Sequence, residues 1–192
     1  MGRKICNTYS RGENYYMKFL ETDLEDVYII QLEKLEDERG FFTRVWDKKI
    51  FKDRGLNTDL VQMSYSYSKQ KGTLRGMHFQ ETPFDEAKIV RCMKGKIFDV
   101  IIDLRKESQT YKKWISFELD DENRKMVYIP EGFAHGFQTL EDDTEVIYQM
   151  SQFYSPRHSV GFRWNDPLFE IKWPSEPKAI SSKDLNFPDF KS

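Results

Sequence analysis

The stretch GTLRGMHFQ, from Gly72 to Gln80, predicts a β-strand that carries a histidine. Strict alternation places His78 and Gln80 on one face of this strand and Arg75 on the other. The chain has only three histidines, so a reaction that needs a group titrating near neutral pH has few candidates. His78 is therefore either a hydrogen-bonded structural histidine or part of a reactive site, and its neighbours decide between the two.

Similar short runs follow one another along the chain, separated by turn-forming residues. They are DVYIIQLEKL, GFFTRVW, DLVQMSYSYSK, GTLRGMHFQ, AKIVRCMKGKIFDVIIDL, KWISFEL, KMVYIP, FAHGFQTL and TEVIYQMSQFY. The run DLVQMSYSYSK alternates apolar and polar side chains, as a strand with one packed face requires. We therefore predict an all-β fold, and a double-sheet jelly roll or small barrel best closes so many short strands.

Turn and helix signals divide these strands. The Lys-Gly pair at residues 94–95 and the Asp-Asp pair at residues 142–143 are predicted to form hairpin turns. The segment DKKIFKDRGL predicts a short helix, with Asp47 as its N-cap and Gly55 as its C-terminal stop. We expect a few such short helices at the periphery of the sheets.

Length and composition narrow the class of protein. The 192 residues fit one domain, which is long enough to bury a core without disulfides or metal. The formal net charge of -2 gives no general attraction to nucleic acid or to an anionic membrane. No apolar run of about 18 residues occurs, and the opening MGRKICNTYSRGENYY lacks the apolar region of a signal peptide. Cys6 and Cys92 fit two unpaired thiols in a reducing compartment, so we predict a cytoplasmic protein.

A second histidine, His135, lies in the run IPEGFAHGF. Its pattern Pro-x-Gly-x-x-His resembles the second signature motif of cupin barrels. Many cupins bind a transition metal through a His-x-His in their first motif, but here Phe79 and Gln80 follow His78. Two histidines make a poor metal site, so the sequence favours acid–base chemistry on an organic substrate, with no metal.

Other candidate residues have both structural and functional interpretations. Lys88, on a predicted strand, is either a snorkelling stem or a cation beside a developing enolate or a phosphate. Asp99 and Asp103 share a face with isoleucines, so a carboxylate there needs a partner, and His135 is a suitable one. Two tyrosines in VIYQMSQFYSP fit either an aromatic core or the rim of a pocket.

Several segments, in this order, carry a resemblance to a known family: DERGFF, GTLRGMHFQ, KIVRCMKGKIFDVIIDLRKES, YIPEGFAHGFQTL, YQMSQFYSP, WNDP with IKWP, and ISSKD. They are similar to the dTDP-4-dehydrorhamnose 3,5-epimerase family from about Asp26 to Asp184. The resemblance implies a cupin-type double-stranded jelly roll in residues 17–192, preceded by an N-terminal extension in residues 1–16. It also implies a homodimer without metal or organic cofactor, whose substrate is a nucleotide-diphosphate 4-keto-6-deoxyhexose.

The resemblance assigns four residues to catalysis. His78 is implied to be the base that removes the acidic protons at C3 and C5 of the 4-ketosugar. Asp184 is similar to the carboxylate that orients this imidazole. Tyr148 corresponds to the proton donor on the far side of the sugar ring, and Lys88 to the cation beside the C4 oxygen.

Further residues correspond to ligand contacts in the family. They are Arg39, Phe41, Gln62, Arg75, Asp99, His135, Tyr154 and Lys183. Asp99 and His135 would form a second dyad against the sugar, and the arginines suit the diphosphate. Because alternation directs Arg75 away from the face of His78, we predict a bulge or kink at Gly76.

Three positions on the nucleotide side depart from the family pattern. Arg44 and Ser159 replace glutamates, and Ser64 replaces an asparagine. Arg44 reverses a local charge in the implied base pocket, so CDP or another nucleotide is an alternative to dTDP.

The resemblance thus implies an isomerase of nucleotide-sugar and polysaccharide biosynthesis. The predicted reaction converts dTDP-4-dehydro-6-deoxyglucose to dTDP-4-dehydrorhamnose through an enolate. The alternatives are an enzyme that inverts only C3 or only C5, a metal-dependent cupin oxygenase, and a non-catalytic sugar-binding cupin.

Overall fold

The structure, a computed structural model, describes residues 16–191. Its strands are β1 (Met17–Glu21), β2 (Tyr28–Leu32), β3 (Leu35–Asp37), β4 (Gly40–Phe42), β5 (Gln62–Ser68), β6 (Thr73–Gln80), β7 (Lys88–Lys94), β8 (Lys96–Asp103), β9 (Trp114–Asp120), β10 (Met126–Ile129), β11 (Phe133–Thr139), β12 (Thr144–Met150), β13 (Ser159–Gly161) and β14 (Ala179–Ile180). Its helices are α1 (Lys48–Lys52) and α2 (Ser182–Leu185). These are the two helices of the described residues. Neither of them is long and apolar enough to cross a membrane.

The strands form two facing sheets and a separate hairpin. The first sheet has the order β1-β2-β10-β7-β12-β5, and the second has the order β13-β6-β11-β8-β9, with β14 pairing in parallel with β6. Within residues 16–191, strands β3 and β4 pair only with each other. With its short helices outside the sheets, this arrangement confirms the predicted all-β jelly roll of cupin type.

The main core lies between the two sheets, and a second apolar layer covers the outer face of the second sheet. Strand β8 shows both layers: Ile97 and Ile101 point into the main core, while Val100 and Ile102 pack under aromatic residues of the C-terminal segment. Because both faces of β8 are covered, its sequence is a nearly continuous apolar run and not an alternating one.

Helix α1 covers part of the outer face of the first sheet. Asp47 caps it as predicted, since its side chain accepts hydrogen bonds from the amides of Lys49 and Ile50. Ile50 and Phe51 are buried against the sheet. The helix ends before the predicted stop at Gly55, whose φ of +73° lies in the region that favours glycine.

Strand β5 turns its polar face inward. Gln62 and Ser64 line a cavity between the sheets, whereas Met63 and Tyr65 are 67% and 57% exposed on the outer face. The predicted alternation is confirmed, and the packed face is the polar one because the space behind it is a polar cavity. An apolar face of the first sheet is therefore left exposed in the single chain.

The two predicted hairpin turns are wrong. At residues 94–95 the chain leaves β7 in the first sheet and enters β8 in the second, and at residues 142–143 it returns from β11 to β12. Gly95 and Asp143 have the positive φ values of +75° and +51° that such reversals need. Turn-forming residues locate a reversal of the chain, but they do not indicate which sheet the next strand joins.

Of the two cysteines in the chain, the structure describes Cys92. Cys92 is buried in the main core with a free thiol. Burial raises the pKa of this thiol to about 12, so it stays protonated at neutral pH. Cys6 lies outside the described residues, as does the predicted N-terminal extension apart from Tyr16.

Candidate active site

A cavity of about 740 Å³ lies between the two sheets. Strands β5, β7 and β12 form one wall, β6 and β11 form the opposite wall, and residues 179–184 complete it. The residues predicted from the sequence that line it are Gln62, Arg75, His78, Lys88, His135, Tyr148, Tyr154, Lys183 and Asp184. The fold thus brings together side chains that are distant in sequence.

A bulge in β6 places Arg75 and His78 on the same side of the strand. Three steps along β6, from Arg75 to His78, match only two steps along β11. The bulge falls at Gly76, whose φ is +140°. A Cβ atom on Gly76 would lie 2.6 Å from the Cα atom of Gly136 in the neighbouring strand, so only glycine fits. The predicted bulge is confirmed, and it explains how both side chains reach the cavity.

His78 is paired with a buried carboxylate. Its Nε2 atom lies 2.8 Å from Oδ1 of Asp184, and Oδ2 of Asp184 accepts a hydrogen bond from the amide of Gly76 at 3.2 Å. Burial alone would raise the pKa of the Asp184 carboxyl, but its hydrogen bonds, above all the one to His78, hold that pKa below its ordinary value. Asp184 is therefore an anion at neutral pH.

Helix α2 positions this carboxylate. The side chain of Ser181 caps the helix and accepts a hydrogen bond from the amide of Asp184 at 3.0 Å. The ring of Phe187 lies edge-on to His78 with centroids 5.8 Å apart. A short segment near the end of the chain therefore fixes the orientation of a histidine in the second sheet.

His135 forms a second pair with a buried carboxylate. Its Nε2 atom lies 2.7 Å from Oδ1 of Asp99, which is fully buried. The partner predicted for Asp99 is confirmed, while Asp103 bonds instead to Arg105 and to two hydroxyl groups. His135 thus lines the cavity from β11, and Asp99 on β8 reaches the site only through His135. Within residues 16–191, no three His, Cys, Asp or Glu side chains are arranged to hold a metal ion.

The wall opposite His78 carries a phenol and an ammonium group. Tyr148 on β12 lines the cavity and packs partly against the main core. Lys88 on β7 also lines the cavity, and its Nζ atom lies 3.0 Å from Oε1 of Glu86. The side chains of both partners are 12% exposed, so this is a largely buried ion pair.

Two glutamine side chains hold the segment that carries Tyr154. Oε1 of Gln62 accepts a hydrogen bond from the amide of Tyr154 at 2.6 Å, and Oε1 of Gln80 accepts one from the amide of Ser155 at 2.6 Å. Gln62 therefore contacts the cavity and also supports Tyr154, whose ring is 57% exposed at the rim.

Two cationic side chains line the cavity on the side of β6 and α2. Arg75 donates hydrogen bonds to the hydroxyl of Ser68 at 3.2 Å and to the carbonyl of Tyr67 at 3.0 Å. Lys183 is exposed and lies 5.6 Å from the ring centroid of Phe187. Together they make this part of the cavity suitable for an anion.

Besides the buried Asp99, three predicted contact residues do not line the cavity of the single chain. Arg39 has an 82% exposed side chain and bonds to Asp37, and Phe41 is 41% exposed on the same hairpin. Arg44 bonds to Asp47 at 3.0 Å. Arg39, Phe41 and Arg44 lie on β4 or beside it. Among the described residues, β4 pairs with β3 and with no strand of either sheet. Of the three positions that depart from the family pattern, only the two serines, at 64 and 159, line the cavity.

Glu86 is a cavity residue that the sequence analysis missed. It lies two positions before Lys88, a spacing that directs both side chains to the same face of an extended segment. This spacing in the sequence could have identified Glu86 as a cavity residue.

Comparison with known proteins shows the family of the chain. The family model of dTDP-4-dehydrorhamnose 3,5-epimerase matches residues 21–192. The chain belongs to this epimerase family. A relative of the same name from Shigella flexneri is 41% identical over 175 residues, covering 91% of this chain and 96% of the relative.

Solved structures of similar proteins share the fold. The epimerase from Bacillus anthracis, with TDP and PPi bound, is 40% identical and has a TM-score of 0.87, covering 91% of this chain and 99% of that one. The dTDP-6-deoxy-D-glucose-3,5-epimerase from Legionella pneumophila, in complex with dTDP-4-keto-L-rhamnose, is 33% identical with a TM-score of 0.82, covering 92% of this chain and 100% of that one.

Proposed function

We propose that this epimerase family member converts dTDP-4-dehydro-6-deoxyglucose to dTDP-4-dehydrorhamnose by inversion at C3 and C5. The observation that carries the proposal is the placement of the His78–Asp184 pair and of Tyr148 on opposite walls of one cavity. A base and an acid on opposite sides of a sugar ring remove a proton from one face and return one to the other. The Shigella relative bears the name of this activity, and the Legionella structure contains dTDP-4-keto-L-rhamnose.

His78 acts as the base in this proposal. Because its Nε2 faces the carboxylate of Asp184, the proton of the neutral ring lies on Nε2 and the lone pair on Nδ1. Nδ1 takes the proton from C3 or C5, and the electron pair of the C–H bond moves into the enolate on the C4 oxygen. The Asp184 anion stabilises the imidazolium that results.

Tyr148 acts as the acid. Its hydroxyl gives a proton to the carbanion carbon from the wall opposite His78, which inverts that centre. The step leaves an imidazolium and a phenolate, so a proton must return from His78 to Tyr148 through solvent before the second centre reacts. Solvent hydrogen is therefore incorporated at each inverted carbon.

Lys88 stabilises the enolate in this proposal. Its ammonium lines the cavity on the same wall as Tyr148, where a fixed cation lowers the energy of a developing negative charge on the C4 oxygen. His135 lies beside His78 and contacts the sugar, and the buried Asp99 holds the His135 ring. Arg75 and Lys183 bind the diphosphate, and Gln62 and Tyr154 contact the nucleotide side.

We also propose that the protein is a homodimer. Arg39 and Phe41 are implied to contact the ligand, yet they are exposed outside the cavity of their own chain. Arg39 and Phe41 can lie outside the cavity of their own chain and still contact a ligand if their hairpin reaches the cavity of a second copy. The exposed apolar face of the first sheet, which includes Met63, Tyr65 and Met93, offers the surface that such a dimer needs.

The setting of the enzyme is part of the proposal. Residues 17–192 act as one catalytic domain, and the enzyme works in the cytoplasm without metal or organic cofactor. The nucleotide is dTDP, and Arg44 does not read its base from within the same chain, because Arg44 is bound to Asp47 outside the cavity.

Proton NMR of the substrate in deuterium oxide tests the reaction. We expect the protein to convert dTDP-4-dehydro-6-deoxyglucose to dTDP-4-dehydrorhamnose, with deuterium at both C3 and C5 of the product. Deuterium at only one carbon would indicate a single-centre epimerase, and binding without any exchange would indicate a sugar-binding cupin. Loss of activity on treatment with a chelator, restored by iron or zinc, would instead indicate a metal-dependent enzyme.

A further inference from the structure

The cavity contains a buried carboxylate that the proposed mechanism does not use. Glu86 and Lys88 form an ion pair of 3.0 Å with both side chains 12% exposed. Burying a carboxylate is unfavourable unless it is paired and hydrogen-bonded, so a glutamate at this place has a specific role in the arrangement of its neighbours.

Both oxygen atoms of this carboxylate have partners. Oε1 faces the ammonium of Lys88, and Oε2 accepts a hydrogen bond from Nε2 of Gln80 at 3.3 Å. The Nε2 of Gln80, which is 5% exposed, has two hydrogen atoms and shares them among Oε2 of Glu86 and the carbonyls of Phe84 at 2.9 Å and Phe153 at 3.2 Å. A chain of contacts therefore fixes Glu86 to two segments of backbone.

This chain of contacts ends at a flexible side chain. Lys88 has four rotatable bonds, and an ammonium on such a stem has many orientations of similar energy when nothing holds it. Glu86 selects one of them and keeps the ammonium in the cavity.

We infer that Glu86 is a positioning residue for the epimerase reaction, which holds the Lys88 ammonium where the C4 oxygen of the sugar develops negative charge. The inference rests on the proposed function, because it assigns Glu86 to the same reaction. It acts through Lys88 and does not itself transfer a proton. Its effect is therefore on the chemical step and not on the binding of the nucleotide.

Kinetics of Glu86→Gln test this inference. Gln keeps the volume, but it replaces one acceptor oxygen with an NH2 donor and removes the charge that holds the ammonium. We expect kcat for dTDP-4-dehydro-6-deoxyglucose to fall at least about tenfold, with the KM and the Kd for dTDP changed less than about threefold, because misplacing a catalytic group mainly affects the transition state. Glu81→Gln is the matched control, since Glu81 is exposed on the same segment.

A double-mutant cycle separates positioning from a general structural effect. In a Lys88→Met background, Glu86→Gln should lower kcat by no more than about twofold, because the group on which Glu86 acts is already absent. Thermal unfolding of each variant checks its folding. Should Glu86→Gln fail to fold, Glu86→Asp replaces it. We expect Glu86→Asp to lower kcat less than Lys88→Met does. In the Lys88→Met background, Glu86→Asp should again lower kcat by no more than about twofold.

The outcomes distinguish the inference from the proposed function. Three results would overturn the role of Glu86: a fall in kcat of less than about tenfold, a larger effect on KM than on kcat, or a further loss above about twofold in the Lys88→Met background. In each case, activity of the parental protein would leave the proposed function intact. A parental protein that does not epimerise this substrate would overturn both.

Discussion

At the scale of single residues, the role proposed for His78 as a base depends on the charge of Asp184. Asp184 is 4% exposed, and its pKa lies below its ordinary value because hydrogen bonds, led by that of His78, outweigh the effect of burial. An anion fixed beside the ring supports the positive charge that forms when His78 takes a proton.

Tyr148→Phe separates proton removal from proton return. The substitution removes only the hydroxyl and leaves His78 and Lys88 in place. We expect inversion to slow by about 10²-fold or more, while His78 still exchanges the protons at C3 and C5 with solvent from one face. Proton NMR in deuterium oxide measures both rates, and exchange that slows as much as inversion would contradict the role of Tyr148.

Some residue pairs of the site were predictable from the sequence, and others were not. A carboxylate on the apolar face of β8 needs a partner, and that requirement predicted the contact of Asp99 with His135. The contact of His78 with Asp184 came from the family resemblance, because no local rule joins residues 106 positions apart. Glu86 was missed although its spacing from Lys88 was visible.

At the scale of elements, the bulge in β6 controls which side chains reach the cavity. Without it, alternation would place Arg75 on the face opposite His78. The bulge was predicted because the family resemblance directs Arg75 to the ligand while alternation directs it away, and Gly76 is the residue that tolerates the required conformation. The predictions of hairpin turns at residues 94–95 and 142–143 were wrong, because the sheet that a strand joins depends on contacts with strands far away in sequence.

Gly76→Ala tests the bulge. The new Cβ would meet the Cα atom of Gly136 at 2.6 Å, so we expect the free energy of unfolding to fall by about 3 kcal/mol or more, with loss of activity. Gly55→Ala is the matched control, because Gly55 also has a positive φ but has nothing within 4 Å of the added Cβ. Its cost should be only about 1–2 kcal/mol. Equal costs in urea unfolding would show that the contact with Gly136 does not constrain β6.

The end of β8 gives a prediction about acid stability. Burial alone would raise the pKa of Asp103, but hydrogen bonds from Arg105, Ser108 and Thr110 hold it below its ordinary value of 3.8. Because the folded-state pKa is the lower one, ionised Asp103 stabilises the fold above about pH 4, and this contribution is lost as the pH falls through the folded-state value.

Asp103→Asn should therefore lower the free energy of unfolding at pH 7 by on the order of 2 kcal/mol. The difference from the parent should shrink as the pH falls below about 4, because the unfolded parent takes up a proton at Asp103 there before the folded parent does. Urea unfolding across this pH range measures the difference, with Asp59→Asn as the exposed control. A difference independent of pH would contradict the assignment.

At the scale of the whole molecule, one chain does not bring all the predicted ligand contacts to one cavity. Arg39 and Phe41 are on an exposed hairpin, and the sequence alone gave no indication that they lie outside the cavity of their own chain. Patterns within one sequence predict contacts by residue type, but they do not assign those contacts to one copy or to another.

Mixing two inactive variants tests the shared cavity. Arg39→Ala should weaken each cavity through the hairpin, and His78→Ala should disable each cavity directly. If hairpins reach the partner cavity, co-refolding equal amounts should restore about a quarter of the parental activity, because half of the dimers are mixed and each has one intact site. Activity no higher than the sum of the separate variants would contradict the proposed dimer.

The central claim is that His78 removes the protons at C3 and C5 of the 4-ketosugar, and deuterium incorporation by His78→Ala tests it most directly. The variant and the parent are each incubated with dTDP-4-dehydro-6-deoxyglucose in deuterium oxide, and incorporation at the two carbons is followed by NMR. We expect incorporation at both carbons with the parent, and a rate lower by about 10³-fold or more with His78→Ala, while dTDP still binds. Incorporation by His78→Ala within a few-fold of the parental rate would contradict the account.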